Sequence, residues 1–295
     1  MRAAALQSLA VGFFDGVHLG HREILRGASA ALTFSNHPLS VLAPERAPRL
    51  IMSVEDRVAA IRACGVAEVT VLEFTLELAE TRAGDFVGLL ERRLGRRLSA
   101  FRCGANWRFG KGGEGDAEFL RRRGMPVEVA PYVEYRGAKI SSSRIRASLE
   151  RGEVEDANAM LGRRFMVRGR VARGKGMGAK IGFPTVNLRV EAPAPGAPLA
   201  LPLGVYEVAL GGRRGVANYG LAPTFGDRAW RAPVLEVHLL PDRAELPGLR
   251  IPEAASVEIL RFIRPERKFA TVDELKRQIA ADCAAVGGSR RRTGA

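Results

Sequence analysis

The sequence predicts an α/β domain on a parallel sheet, followed by a small closed β-barrel with a C-terminal helix, an α/β plus β chain. Three observations carry this expectation. Residues 1–150 alternate apolar strand-like runs with helix-like segments, the pattern of a parallel sheet with crossover helices. After Phe165 the pattern changes to short β-rich runs punctuated by Gly and Pro, which suits a small barrel. The length, 295 residues, allows two domains, each with a core of its own.

In the first half, segments 9–14, 31–34, 68–74 and 98–103 are apolar and read as strands. Segment 53–63 reads as a helix with Ser53 as N-cap and Asp56 supporting its first turn. Segments 84–94 and 116–123 are two more helices, 127–133 returns as a strand, and 141–150 and 153–161 close the domain as helices. Gly162-Arg163-Arg164 marks the expected boundary, giving domains 1–162 and 163–288. Strands follow at 166–172, 205–210, 214–219, 235–240 and 256–263. Segment 192–198 holds three prolines and reads as a loop, because proline cannot donate to a sheet ladder. Segment 271–286 is an amphipathic helix with Thr271 as N-cap and Glu274 completing a capping box. The Gly-, Ser- and Arg-rich tail 289–295 is expected to be disordered.

Composition excludes several classes. No apolar run approaches the ~20 residues that span a bilayer, and the start, Met1-Arg-Ala-Ala-Ala-Leu, merges into the first strand instead of forming a signal peptide. Cys64, Cys103 and Cys283 are scattered without metal-binding spacing, which fits a reducing cytoplasm. The net charge of +14, from 46 basic and 32 acidic residues, raises nucleic-acid binding as an alternative. The arginines lie in short scattered clusters, with no zinc-finger spacing and few aromatics among them, so specific nucleic-acid binding is not expected. Small phosphate-bearing ligands are themselves anions that a positive field would favour.

Two stretches carry chemistry. Val11-Gly-Phe-Phe-Asp-Gly-Val-His-Leu-Gly-His21 places His18 and His21 just after an apolar strand and at the start of a helix. Free N–H groups and the helix dipole favour phosphate there, and two ring nitrogens could stabilise charge on a leaving pyrophosphate. Gly176-Met-Gly-Ala-Lys-Ile-Gly-Phe-Pro-Thr-Val-Asn-Leu188 is a glycine-punctuated loop ending in Thr185 and Asn187. Their neutral oxygens suit a magnesium ion shared with a nucleotide. Downstream, Glu236 sits on an expected strand whose neighbours Leu235 and Val237 face the other side. A carboxylate there could take a hydroxyl proton.

With Gly215-Val-Ala-Asn-Tyr-Gly-Leu-Ala-Pro-Thr-Phe-Gly226 and Leu235-Glu-Val-His-Leu-Leu240, the second half resembles the riboflavin kinase module. The first half adds Thr33-Phe-Ser-Asn-His-Pro38, Gly104-Ala-Asn-Trp-Arg-Phe-Gly110 and Ile140-Ser-Ser-Ser-Arg-Ile-Arg146, and resembles the FMN adenylyltransferase module. Over residues 9–286 the chain is similar to the prokaryotic bifunctional riboflavin kinase/FAD synthetase family. That resemblance implies a Rossmann-like nucleotidyltransferase domain followed by a riboflavin-kinase barrel. It also implies ATP and Mg²⁺ as cofactors, with riboflavin, FMN and FAD as substrates and products.

For the kinase half the resemblance implies Glu236 as catalytic base and Thr185 and Asn187 as holders of magnesium and the ATP phosphates. The loop with Gly174, Lys175 and Gly176 would cover the nucleotide, Lys175 or Lys180 would supply charge, and Asn218 and Thr224 would lie near the flavin. For the adenylyltransferase half it implies His18, His21 and Arg144 as catalytic residues. Gly12, Asp15, Gly20, Ser142 and Ser143 would bind nucleotide or phosphate, and Asn106 nucleotide or metal. The expected partners are these small molecules, with self-association left open and neither membrane nor specific nucleic acid.

The chain departs from the family in places. Phe13 stands where an Asn is usual, Ser35-Asn36 replaces an acidic residue and proline, and Ser143 replaces a common Thr. The connection 22–32 is short for a crossover, and Pro241-Asp242 and Pro247-Gly248 change a loop bordering the flavin. A kinase whose first module is only a scaffold or regulator is therefore the alternative within the family.

Overall fold

The computed structural model describes residues 8–174, 176–193, 201–221, 233–241 and 251–288. The chain divides into two compact units, Met1–Arg144 and Ile145–Ala295. Lys175, Thr224, the prolines at 194–198, the altered loop residues Asp242, Pro247 and Gly248, and the tail 289–295 lie outside the described residues.

The first unit runs β1 (Ser8–Val11), α1 (Leu19–Leu25), β2 (Ala30–Phe34), α2 (Leu39–Leu42), α3 (Val54–Ala63), β3 (Glu68–Leu72), α4 (Leu76–Glu80), α5 (Ala83–Leu94), β4 (Ala100–Gly104), α6 (Ala117–Arg121) and β5 (Val127–Ala130). A two-stranded hairpin, β6 (Glu134–Tyr135) and β7 (Ala138–Lys139), follows, and α7 (Ser142–Glu150) crosses into the second unit. The sheet order is β3-β2-β1-β4-β5, every neighbouring pair parallel. Alternate strand residues feed opposite faces. Leu9, Val11, Leu32 and Phe101 pack with Phe86 and Leu90 of α5, while Ala10 and Ala31 pack with Leu25 of α1 and Ile61 of α3. Helices on both faces make the unit doubly wound and Rossmann-like, as expected.

Several boundaries differ from the sequence reading for identifiable reasons. β1 ends at Val11, not Phe14, because Phe14 takes the left-handed conformation (φ 56°). The loop is pinned there: the Phe13 carbonyl accepts Thr33 Oγ1 at 2.8 Å and Arg57 Nη1 at 3.0 Å. The crossover between β1 and β2 nevertheless includes the helix α1 and pairs Leu9 with Ala30 in parallel. Ser53 caps α3 as expected, its Oγ accepting the Asp56 N–H at 3.1 Å.

The second unit continues with α8 (Val154–Leu161), β8 (Phe165–Ala172), α9 (Met177–Lys180), β9 (Val186–Val190), β10 (Gly204–Leu210), β11 (Arg213–Leu221), β12 (Pro233–Leu239), β13 (Ala254–Pro265) and α10 (Val272–Gly288). Its described strands close into an antiparallel barrel in the order β10-β11-β12-β9-β8-β13. β9 is an addition to the sequence reading, which left that segment in the glycine loop. Its alternation of Leu188 and Val190 with exposed Arg189 is too short to separate from a turn. The α10 cap is a near-capping box: Thr271 Oγ1 accepts the Glu274 N–H, while the Glu274 carboxylate reaches the Ala270 N–H.

Asn158 of α8 is buried and bridges two strands of this unit. Its Nδ2 donates to the Ile259 carbonyl at 3.0 Å and its Oδ1 accepts the Phe165 N–H at 2.6 Å. Asn158→Ala leaves both backbone groups unsatisfied, so it should cost about 2–4 kcal/mol. Denaturant titration followed by a probe in the barrel checks this.

Candidate functional site

Each unit contains its own cavity. In the first, a cavity of about 340 Å³ is walled by the loop after β1, the start of α1, the ends of β4 and β5, and residues 139–143. Gly12, His18, Gly20, His21, Asn106, Ser142 and Ser143 all line it. The His-x-Gly-His spacing has a local cause. His18 is the N-cap of α1, and its Nδ1 accepts the His21 N–H at 3.2 Å. The two imidazoles stack at 3.5 Å between centroids and 17° between planes. Gly20 makes room: a Cβ there would press on the His18 ring at 3.3 Å. With Nδ1 acting as acceptor, the hydrogen-bond network assigns the His18 proton to Nε2, so the ring retains a donor.

Two expected site residues are placed elsewhere. Asp15 is only 2% exposed, and its carboxylate accepts the Ile51 N–H at 3.0 and 3.1 Å. It does not line the cavity; its backbone carbonyl instead accepts Ser142 Oγ at 2.8 Å. Arg144 is likewise absent from the wall. Its guanidinium donates to the carbonyls of Ala138 and Lys139 at 2.6 and 3.4 Å, tying α7 to the small hairpin.

Phe13, the family departure, lies outside the cavity wall. Its ring meets His37 edge-on at 4.7 Å and carries the Arg57 guanidinium 4.1 Å from its centroid. Arg57 is fully buried, and desolvation pulls its pKa down against the opposing charges of Asp15 and Glu55. Phe13 thus belongs to a packing cluster and leaves the cavity's polar groups in place. Sequence reasoning missed Tyr132 and Lys139. Tyr132 Oη donates to Asn106 Oδ1 at 2.5 Å, and Lys139 Nζ sits 3.8 Å from the Tyr132 ring centroid. Neither stands in a distinctive motif.

In the second unit a cavity of about 550 Å³ is bounded by β10, β11 and β12, the segment 177–185, residues 264–269, and α10. Thr185, Asn218 and Glu236 line it. The ladder sets Glu236 opposite Asn187 on β9 and opposite Asn218 on β11, so three strands carry one polar row. Leu235 and Val237 are fully buried, as the two-residue period requires. Asn187 is not in the cavity wall, but the glycine loop closes on it: a Cβ at Gly174 would run into its amide. Lys180 and Gly176 are exposed and stand outside the wall.

Glu236 is solvent-exposed and lines the cavity. Desolvation raises its carboxyl pKa, and like-charge repulsion from Glu266 adds to the rise. The sequence reading missed His238, whose Nδ1 lies 2.8 Å from the Pro184 carbonyl and whose ring meets Phe183 edge-on at 5.3 Å. It holds the Gly-Phe-Pro-Thr turn against β12. Its position two residues beyond Glu236 on one strand was the available signal. Arg264 clamps α10 through Asp282, with contacts of 3.1 and 2.8 Å to a carboxylate that is 4% exposed.

Residues 2–144 match the FAD synthetase family model and residues 161–288 match the riboflavin kinase family model. The bifunctional riboflavin kinase/FMN adenylyltransferase of Escherichia coli K12 is 34% identical, over 93% of this chain and 90% of its own length. The Bacillus subtilis protein of the same description is 32% identical, over 93% and 89%. The chain belongs to the bifunctional riboflavin kinase/FMN adenylyltransferase family.

Both modules of that family are present in order, which favours the two-enzyme reading over a nucleic-acid-binding protein. A solved structure titled as a macrolide-efflux protein from Streptococcus pneumoniae also matches. It has a TM-score of 0.80 and 28% identity, over 97% of this chain and 95% of that one. The efflux description belongs to the pneumococcal chain. Among the described residues here, no helix is long and apolar enough to cross a membrane.

Proposed function

We propose that the C-terminal module phosphorylates riboflavin to FMN and the N-terminal module adenylylates FMN to FAD. The observation that carries this reading is that part of each module's motif set lines a cavity of its own, His18, His21, Ser142 and Ser143 in one and Thr185, Asn218 and Glu236 in the other. Both volumes fall in the range of small-molecule sites.

In the kinase cavity, Glu236 takes the proton of the ribityl 5′-hydroxyl as that oxygen bonds to the γ-phosphorus of ATP and ADP departs. Its raised pKa makes it a better proton acceptor than an ordinary surface carboxylate. Thr185 and Asn187 offer two neutral oxygens, and no cluster of three or more acidic, His or Cys side chains exists among the described residues. Such a donor set fits Mg²⁺, which commonly completes its shell with water and substrate phosphates. Bound there, Mg²⁺ would neutralise phosphate charge. The glycine loop lies against Asn187 and gives the nucleotide close access to backbone N–H groups.

In the adenylyltransferase cavity the nucleophile is an FMN phosphate oxygen, so no protein base is required. A bond forms to the α-phosphorus of ATP while the bond to pyrophosphate breaks. His18, His21 and the Ser142–Ser143 segment surround the space where that charge develops. Arg144 supports this arrangement by holding the hairpin that carries Lys139. A cytoplasmic setting, with reduced thiols and abundant ATP, suits this chemistry.

The test is a chromatographic time course of the full chain with riboflavin, ATP and Mg²⁺. FMN followed by FAD is expected. FMN without FAD would reduce the N-terminal module to a scaffold, and neither product would overturn the proposal.

A further inference from the structure

Glu266 lies just beyond β13 in the wall of the larger cavity. Its Oε1 accepts Asn218 Nδ2 at 3.2 Å. Gly220, two residues from Asn218 along β11, leaves the space that the carboxylate occupies, since a Cβ at Gly220 would run into Glu266 Oε1. Three residues from two distant parts of the chain therefore build one contact.

That contact settles the orientation of an amide. The oxygen and nitrogen of Asn are close in size, so only the partner decides which way the group turns. A carboxylate accepts and, once ionised, cannot donate. It therefore takes the Nδ2 branch of Asn218 and turns Oδ1 away from itself. Asn218 stands directly opposite Glu236 on the ladder, and both line the cavity. An amide oxygen beside a carboxylate makes two acceptors with nothing to donate to each other. The group that satisfies both is a donor, such as the hydroxyls of a polyol chain.

We propose that Glu266 is a positioning residue: it holds the Asn218 amide with its oxygen facing the cavity, so that neighbouring acceptors on β11 and β12 recognise a hydroxyl-bearing substrate. The inference rests on the kinase reading of this cavity and assigns ribityl recognition to the Glu266–Asn218 pair.

Steady-state kinase assays on the full chain test it, with riboflavin varied at saturating ATP and Mg²⁺. Glu266→Ala should raise the riboflavin KM roughly tenfold while kcat stays within about threefold, because ground-state recognition is lost and the base remains. Glu266→Gln keeps an acceptor oxygen and should restore KM to within about threefold of wild type. Asn218→Ala combined with Glu266→Ala should be no worse than Asn218→Ala alone, since both act through one amide. An unchanged KM in Glu266→Ala would overturn the inference while leaving the kinase reading intact. So would a fall in kcat at constant KM, or fully additive effects. A wild-type chain that makes no FMN would overturn both.

Discussion

Glu236→Gln should lower kcat for FMN formation by roughly 10²–10⁴-fold, the usual contribution of a positioned general base. Riboflavin binding, followed by quenching of flavin fluorescence, should persist because the amide is nearly isosteric. The pH profile provides a second readout. Burial and Glu266 both raise the Glu236 carboxyl pKa, and a base works only when deprotonated. Wild-type activity should therefore rise with pH through a midpoint above the ordinary carboxylate value, and the residual activity of Glu236→Gln should lack that limb.

Stability has the opposite sign. A carboxyl whose folded pKa is raised contributes stability below its unfolded value and loses it as pH rises through the folded value. At neutral pH the ionised Glu236 is thus a burden on the fold, and Glu236→Gln should melt no lower than wild type. A variant that loses activity and also melts lower would remove the case for Glu236 as base, as would one with near-normal turnover.

His21→Ala should cut FAD formation from FMN and ATP by roughly 10²–10³-fold, as expected when one preorganised donor is lost from a developing anion. FMN formation from riboflavin should be unchanged, because His21 lines the 340 Å³ cavity of the first unit and the kinase residues line a separate cavity of the second. The predicted effect has two physical parts. His21 contributes its own ring, and it stacks on His18 at 3.5 Å, so removing it also frees the His18 ring to turn. The backbone bond from the His21 N–H to His18 Nδ1 survives the substitution. Competing assays of both half-reactions on one preparation check the prediction. Equal loss of both products would argue against two separate sites.

Much of this was legible in the sequence because the signals are local. Strand and helix periods, the Ser53 cap and the His-x-Gly-His loop each depend on residues a few positions apart. The pairing of Glu236 with flanking buried Leu235 and Val237 follows from the two-residue period alone. Strand β9 was less legible, since five residues after a Pro-Thr turn carry too little alternation to stand out from a loop.

Long-range partnerships decided the rest. Asp15 belongs to a motif that suggests phosphate binding, yet its carboxylate is used by the Ile51 N–H, 36 positions away. Arg144 sits in the right motif, and its Nη1 bonds two hairpin carbonyls that only the folded chain brings near. Phe13 looked like damage to a binding loop until the fold placed Arg57 over its ring. The contact between Glu266 and Asn218 spans 48 positions, beyond the reach of any local pattern.

By itself the sequence determined the two-module order, the fold of each module and the residue types that make the chemistry. Those properties come from short-range pattern and composition. The tertiary structure alone decided which polar groups face a cavity and which are consumed in holding the loops. A buried donor or acceptor must find a partner wherever the chain supplies one, and that partner is set by the packing of distant segments.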